Sequence, residues 1–458
     1  MVSGLGGRAG RTARLAKLSA STGGRLWSAR RAGRRGDDAA VAAAHDRIAG
    51  DVLETLGSMK GAAMKLGQML SYIDLDLPPE ASDSLEGRLA ALRDAAPASD
   101  PAAVEGVLAQ DLGVTPEEAF AYWEPEPFAV ASVGQVHRAR LADGRDVAVK
   151  VQHPGVAEAV EADLANAGLL TRLAQRVMPG VDPDELLAEL DRRVRGELDY
   201  QQEAAWQQAF RDRYAGHPFI RIPEVVHALC RPRVLVVEYV EGATFDEVRH
   251  ADQATRDRYG EIIFRFAFGS LYRFGLFNSD AHPGNYVFPG DGTVAFLDFG
   301  SSRAYGTALL GHLERLHAAV GAGDAAELEA AAREAGILSD QAELVEQERQ
   351  LLLAWFRELR EPMLSDEPWT YTRDYARRVL ATSLDRDSPY QPVLRKLEMP
   401  GDYLLLNRIG FGLNSVLGRL EPTANWYRII GELWDGAPPA TPLGEAEAEF
   451  FGDRPGVA

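Results

Sequence analysis

The chain is 458 residues long, 46% hydrophobic and 26% charged, with a single cysteine, Cys230. That length accommodates two or three domain-sized units or one two-lobed enzyme with extensions, while the lone Cys excludes a disulfide framework and suits a reducing compartment. The net charge of −19 is unevenly spread: residues 1–36 hold eight Arg, one Lys and no acidic residue, which leaves the rest of the chain at −28 and argues against a nucleic-acid-binding body.

Residues 1–36 are rich in Gly, Arg, Ser and Ala and lack an apolar period, so a disordered basic arm is expected. The composition also resembles a transit peptide or an arm lying on anionic lipid, and the absence of an apolar core segment argues against secretion. A helical extension follows over 37–127. Within it Val52, Leu56, Met59, Ala63, Leu66, Leu70 and Ile73 recur in steps of four and three, which predicts an amphipathic helix over 46–73, ended by Pro78 and Pro79. Its apolar stripe suits packing on the protein's own core, with a lipid-facing or partner-facing role as the alternative. Residues 81–127 read as short helices broken by Pro97, Pro101, Pro116, Pro125 and Pro127.

From 128 to 242 the texture turns β-rich. Strands are predicted at 133–141 and 146–151, joined by Ala-Asp-Gly-Arg at 142–145, with further strands at 219–226 and 233–239 and helices near 155–178 and 182–212. Residues 243–435 read as helical around one loop and hairpin at 276–300, and 436–458 as a flexible tail. The most apolar region, 403–420, is interrupted by Asn407, Arg408, Asn414 and Arg419, so no transmembrane span is expected.

The strongest chemical signal is Asn278-Ser-Asp280-Ala-His-Pro-Gly-Asn285, followed by a strand-turn-strand and Asp298-Phe-Gly300. Loops beside strand ends let oxygen ligands converge, and Mg²⁺ accepts one or two protein oxygens when phosphates and waters complete its shell. Asp280 stands where it can orient or deprotonate an attacking hydroxyl or water. Each residue alone reads as a turn former; the three together do not. His282 has no Cys or second His at zinc spacing and reads as loop structure, as do His137 and His153.

Val147-Ala-Val-Lys150 alternates so that one face is buried and Lys150 projects from the other, where its charge can neutralise phosphates, although edge strands also carry lysines. Lysine is scarce, five against 44 Arg, which adds weight to Lys65 and Lys150. Glu197, Asp199 and Glu203 offer carboxylate partners downstream, Asp199 and Glu203 one helical turn apart. The run 129–137 stands where a kinase carries a Gly-rich loop but keeps only Gly134; small residues still allow close backbone approach.

These elements, together with Lys65-Leu-Gly-Gln68 and Val237-Glu-Tyr-Val-Glu-Gly242, resemble the UbiB/ADCK family of atypical kinase-like proteins over residues 59–300. The resemblance implies an α+β, bilobal protein-kinase-like fold with a small β-rich N-lobe, a helical C-lobe, ATP between them and the N-terminal extension as a cover. By matching positions it implies that Ala131, Ser132, Val133 and Gly134 lie over the nucleotide, that Lys150 meets phosphates and pairs with Glu203, and that Glu238 and Val240 pass the adenine. Asp280 is then the catalytic acid, Asn285 and Asp298 hold Mg²⁺, and Lys65, Gln68, Glu197 and Asp199 form a gate.

Two departures stand out. Phe277-Asn-Ser-Asp280 replaces the family's Phe-His-Ala-Asp, and no Ala-Pro-Glu segment follows Gly300, so docking of a protein substrate is not expected. The implied activity is ATP hydrolysis or phosphoryl transfer to a small or lipid-like molecule, in isoprenoid-quinone or other lipid metabolism. Its implied setting is cytoplasmic, peripheral on the inner membrane face, or in an organelle addressed by residues 1–36. The implied partners are ATP, a lipid or quinone precursor and a membrane surface; a homodimer is compatible with this reading. The alternatives are a nucleotide-gated lipid-binding scaffold with incidental hydrolysis and a phosphotransferase of the aminoglycoside-kinase type, which shares the Asp-Asn-Asp loop but is not expected to carry the Lys-x-Gly-Gln or Ala-rich elements.

Overall fold

The structure, a computed structural model, describes residues 98–161, 191, 195–278, 280–339, 341–384, 388–398 and 400–452. The basic arm, the helix expected over 46–73, Lys65 and Gln68 lie outside the described residues. The chain divides into two compact units, one running to Gln202 and taking in Val226–Val237, the other made of Glu203–Val225 and everything from Glu238 onward.

The first unit is a sheet covered by a helix. Helix α1 (Pro101–Leu112) starts where Asp100 accepts from the amide of Ala103 and ends at Gly113, whose φ of 78° suits only a residue without Cβ. The sheet contains β1 (Tyr122–Trp123), β2 (Ala129–Val130), β3 (Gly134–Arg140), β4 (Asp146–Gln152) and β6 (Val234–Glu238), in the order β1-β3-β4-β6 with β2 also on β3. Strands β3 and β4 pair antiparallel from Gly134 opposite Gln152 to Arg140 opposite Asp146, closed by a turn in which Gly144 takes φ 91°. Val147, Val149 and Val151 are buried with Val104, Leu108 and Val236 in one apolar cluster. Each such valine is worth roughly 1.5–3 kcal/mol of burial, so the register is fixed: a one-residue slip would turn Lys150 into the core.

The second unit opens within helix α2 (Tyr200–Tyr214), which crosses the division between the units. The strand expected over 219–226 is only β5 (Ile220–Arg221), parallel to β9 (Val294–Phe296), because Pro223 lacks the N–H that a longer ladder needs. Helix α3 (Gln253–Phe274) begins at Asp252, whose side chain accepts from Thr255, and ends at Gly275 with φ 61°. It leads into β7 (Leu276–Asn278), which pairs antiparallel with β10 (Ser302–Ala304), while β8 (Tyr286–Val287) pairs with β9. One core gathers Phe210, Phe264, Phe266, Phe296, Phe299 and Trp426. A second core joins the helices Thr307–Ala322, Ala325–Glu334 and Glu346–Leu359 through Leu316, Leu328, Leu352 and Trp355.

The expected flexible tail is corrected over Pro442–Gly452, which is a helix. Its Glu447 is buried against Arg265 at 2.9 Å, and the same guanidinium meets Glu261 at 2.7 Å and Glu432 at 2.9 Å. Acidic residues that look solvated in sequence are here counterions of a fully buried arginine, which cannot be left unpaired inside a protein. Burial pushes the Glu447 carboxyl up, and the neighbouring arginines oppose that shift.

Candidate nucleotide and cation site

In the second unit, pairing of β7 with β10 sets Asn278 opposite Ser302 and so brings the Asp280 loop back to the Asp-Phe-Gly segment. Asn278 locks the two together. Its amide nitrogen donates to the carbonyl of Asp298 at 2.6 Å and its Oδ1 accepts from the amide of Asp280 at 3.2 Å. Asn285 donates through Nδ2 to the Asp280 carbonyl at 3.0 Å and to Asp280 Oδ2 at 3.1 Å, and its own carbonyl accepts from Leu297 at 3.0 Å. Asp298 Oδ1 accepts from the amide of Gly300 at 2.9 Å. A cavity of about 20 Å³, room for one water, lies against Asn278, Asp280 and Asn285.

Phe299 is fully buried, its ring 5.0 Å from that of Phe210 on α2. The same helix carries Glu203, which is also buried. A Cβ built on Gly300 would stand 3.5 Å from Glu203 Oε2 and 3.3 Å from Asp298 Oδ1, so a bare glycine lets both carboxylates crowd one stretch of main chain. The second unit therefore gathers Asp280, Asn285, Asp298 and Glu203 by itself. Asn278 is the residue sequence reasoning undervalued; the signal was the departure from His at that position.

The donor set suits a hard cation. Asn285, whose Nδ2 donates to Asp280, can offer its amide oxygen Oδ1, and Asp298 can offer a carboxylate. Among the described residues no group of three or more His, Cys, Asp or Glu side chains forms a metal cage. A carboxylate with one amide oxygen is the set Mg²⁺ takes when waters and phosphates complete its octahedron. His282 Nδ1 accepts from the amide of Gly284 at 3.0 Å, a role within the loop.

In the first unit, β2 and β3 are joined by a tight turn over Ala131, Ser132, Val133 and Gly134, closed by Ala131 N–H donating to the Gly134 carbonyl at 2.7 Å. Ser132 Oγ donates to Glu197 Oε2 at 2.9 Å. Gly134 has a local reason to be glycine: a Cβ there would fall 2.4 Å from Tyr200 Oη and 2.5 Å from the Val151 carbonyl. Lys150 Nζ stands 5.0 Å from the centroid of the buried Tyr200 ring, a cation–π contact. Asp199, expected in a gate, spends Oδ1 on the amide of Gln202 at 3.0 Å and so caps the start of α2.

Glu238 belongs to the second unit. Its carboxylate accepts from Arg221 Nη2 at 2.5 Å and from the amide of Glu224 at 3.1 Å, so the side chain is committed, and Val240 is part-exposed. Lys150 lies in the first unit and Glu203 in the second.

Residues 91–332, more than half of the chain, match the ABC1 atypical kinase-like domain. The mitochondrial atypical kinase COQ8B of Rattus norvegicus is 35% identical over 274 residues, covering 60% of this chain and 51% of that one. The probable protein kinase UbiB of Pseudomonas paraeruginosa is 36% identical over 231 residues, covering 48% and 42%. This chain thus spans about half the length of the curated relatives it matches. A solved structure of Rv3197 from Mycobacterium tuberculosis in complex with erythromycin superposes with a TM-score of 0.61 at 31% identity, covering 86% of this chain and 98% of that one. The chain belongs to the ABC1 atypical kinase-like family and has its kinase-like fold.

Proposed function

We propose that the protein is an Mg²⁺-dependent, ATP-binding atypical kinase or ATPase that serves isoprenoid-quinone or other lipid metabolism at a membrane surface. The observation that carries this reading is the Asn278-centred network, which joins the Asp280 loop to Asp298 through two hydrogen bonds. Asp280 orients the attacking hydroxyl or water and takes its proton, with Asn285 fixing the carboxylate that does so. Asn285 and Asp298 hold the cation, which when bound neutralises charge on the phosphates. Lys150 neutralises further phosphate charge on the nucleotide under the Ala131–Gly134 turn, and Glu203 is the acidic partner expected for it. Val240 and the main chain of Glu238 meet the adenine. Glu197, with Asp199, Lys65 and Gln68, belongs to a gate.

Among the described residues no helix is long and apolar enough to cross a membrane. Peripheral attachment is therefore the mode this reading adopts, with the basic residues 1–36 as the segment that anionic lipid would attract. Turnover of ATP should rise on adding anionic vesicles together with a phenol-headgroup quinone precursor, and Lys65→Ala should change nucleotide affinity. Because Rv3197 has been solved with erythromycin, a macrolide makes a useful third arm of that assay. ATP turnover no faster than in protein-free buffer under every condition would overturn the reading. A nucleotide-gated scaffold separates cleanly in a complementation test, since it tolerates Asp280→Asn and an enzyme does not.

A further inference from the structure

We infer that His153 is a positioning residue for the Ala131–Gly134 turn, holding that turn from inside the first unit through a buried chain of hydrogen bonds that begins at Ser99. The inference rests on the nucleotide reading above and adds to it the group that shapes the phosphate-side loop.

With both rings neutral, the chain has one consistent arrangement of protons. The carbonyl of Glu124 can only accept, so His137 donates to it from Nδ1 at 2.9 Å. His137 Nε2 then accepts from Gln135 Nε2 at 2.9 Å, and the Gln135 carbonyl oxygen accepts from the main-chain amide of Ser99 at 2.8 Å. At the other end the carbonyl of Ala131 can only accept, so His153 donates to it from Nε2 at 3.3 Å; its Nδ1 then accepts from the Ser99 hydroxyl at 2.8 Å. In that arrangement Ser99 donates in both directions, and the two histidines carry their ring protons on opposite nitrogens. Gln135 and His137 are fully buried, and His137 stacks on Trp123 at 4.6 Å. Burial depresses the basicity of His137, in keeping with a neutral ring there.

The consequence falls on the turn. The Ala131 carbonyl is held by the His153 ring, the Val133 carbonyl by the His153 main-chain amide at 2.9 Å, and the Gly134 carbonyl by Ala131 N–H at 2.7 Å. Three carbonyl oxygens that would repel a phosphate are thus engaged within the first unit. A turn meant to lie against an anion needs its carbonyls withdrawn before its amides can serve. His153 does two of these three tasks, and its ring does the one that a side chain can change.

The test compares wild type, His153→Phe, His153→Gln and Ser99→Ala in the full chain. Phe keeps a ring and removes both ring hydrogen bonds, whereas Gln returns an N–H within reach of the Ala131 carbonyl. In ligand-free protein, His153→Phe should speed amide hydrogen exchange across 131–134. Its Kd for Mg-ATP should weaken roughly three- to tenfold, the order of one lost hydrogen bond, with the loss falling on affinity more than on turnover at saturating ATP. His153→Gln should recover most of both effects, and Ser99→Ala should follow His153→Phe with a smaller change. His153→Phe with wild-type exchange and wild-type Kd, even if its melting temperature drops, would overturn the positioning role, as would His153→Gln no better than Phe. Wild-type protein that binds no nucleotide at all would instead overturn the ATP reading, a result visible without any variant.

Discussion

The Asp280 loop and the Ala131–Gly134 turn, the two elements proposed to meet the nucleotide, are held in opposite ways. In the second unit Asp280 and Asp298 hang on main-chain groups, an Asn bridge and packed rings, with Phe299 tilted against Phe210 and Phe266 stacked on Phe296 at 3.7 Å. In the first unit the turn rests on a file of polar side chains, Ser99, Gln135, His137 and His153. A main-chain and aromatic mount tolerates little rearrangement because packing is close and the hydrogen bonds are not optional. A file of polar side chains can be cut at one link while the strands beneath it stay paired. The second unit should therefore govern rate, and the first should govern affinity.

The largest effect expected is that of Asp280→Asn, which removes the base but keeps the shape: turnover should fall by ~10²–10⁴-fold with ATP affinity nearly kept, as measured by steady-state hydrolysis beside a binding titration. A variant that loses affinity but not rate would reverse the division of labour between the units.

Next in size is an acid effect in the second unit. His317 stacks on Trp434 at 4.3 Å, and burial, with help from the charge of Arg360, pushes its pKa down to about 4. Unfolding returns the ring to its ordinary value near 6.5. As pH falls from 6.5 towards 4 the unfolded chain therefore takes up a proton that the folded one refuses, and the second unit loses up to about 3 kcal/mol. Denaturant midpoints at pH 7, 5.5 and 4.5 should show this decline, and His317→Gln should flatten it.

In the first unit, Gly134→Ala drives a methyl onto Tyr200 Oη and the Val151 carbonyl and should cost about 1–3 kcal/mol of stability, read from the same denaturant series. The smallest of the four is Asn278→Ala, which cuts the bridge between the Asp280 loop and Asp298 and should lower turnover roughly tenfold without a matching change in Kd.

Much of this was legible in the sequence. The alternation around Lys150 and the Asp280, Asn285 and Asp298 spacing are local patterns, and the structure places them on β4 and in one hydrogen-bonded network. What could not be read comes from distant partners. Ser99 meets Gln135 and His153 across 36 and 54 residues, a separation at which residue type carries no signal. Glu447 reads as tail composition until Arg265, 182 residues earlier, is found beside it. Gly134 looks like a remnant of a phosphate loop, and its lack of a side chain turns out to serve Tyr200 and Val151. The helix cap that Asp199 forms with the amide of Gln202 was likewise not read from the sequence.

The central claim is that Asp298 and Asn285 hold the cation that makes ATP reactive in this chain. Its most direct test is ATP turnover by purified Asp298→Asn across a titration of Mg²⁺, alongside a melting curve to show that the fold is kept. The account predicts loss of turnover on the order of 10²-fold or more that added Mg²⁺ restores only in part. Wild-type turnover with wild-type Mg²⁺ dependence in that variant would contradict it.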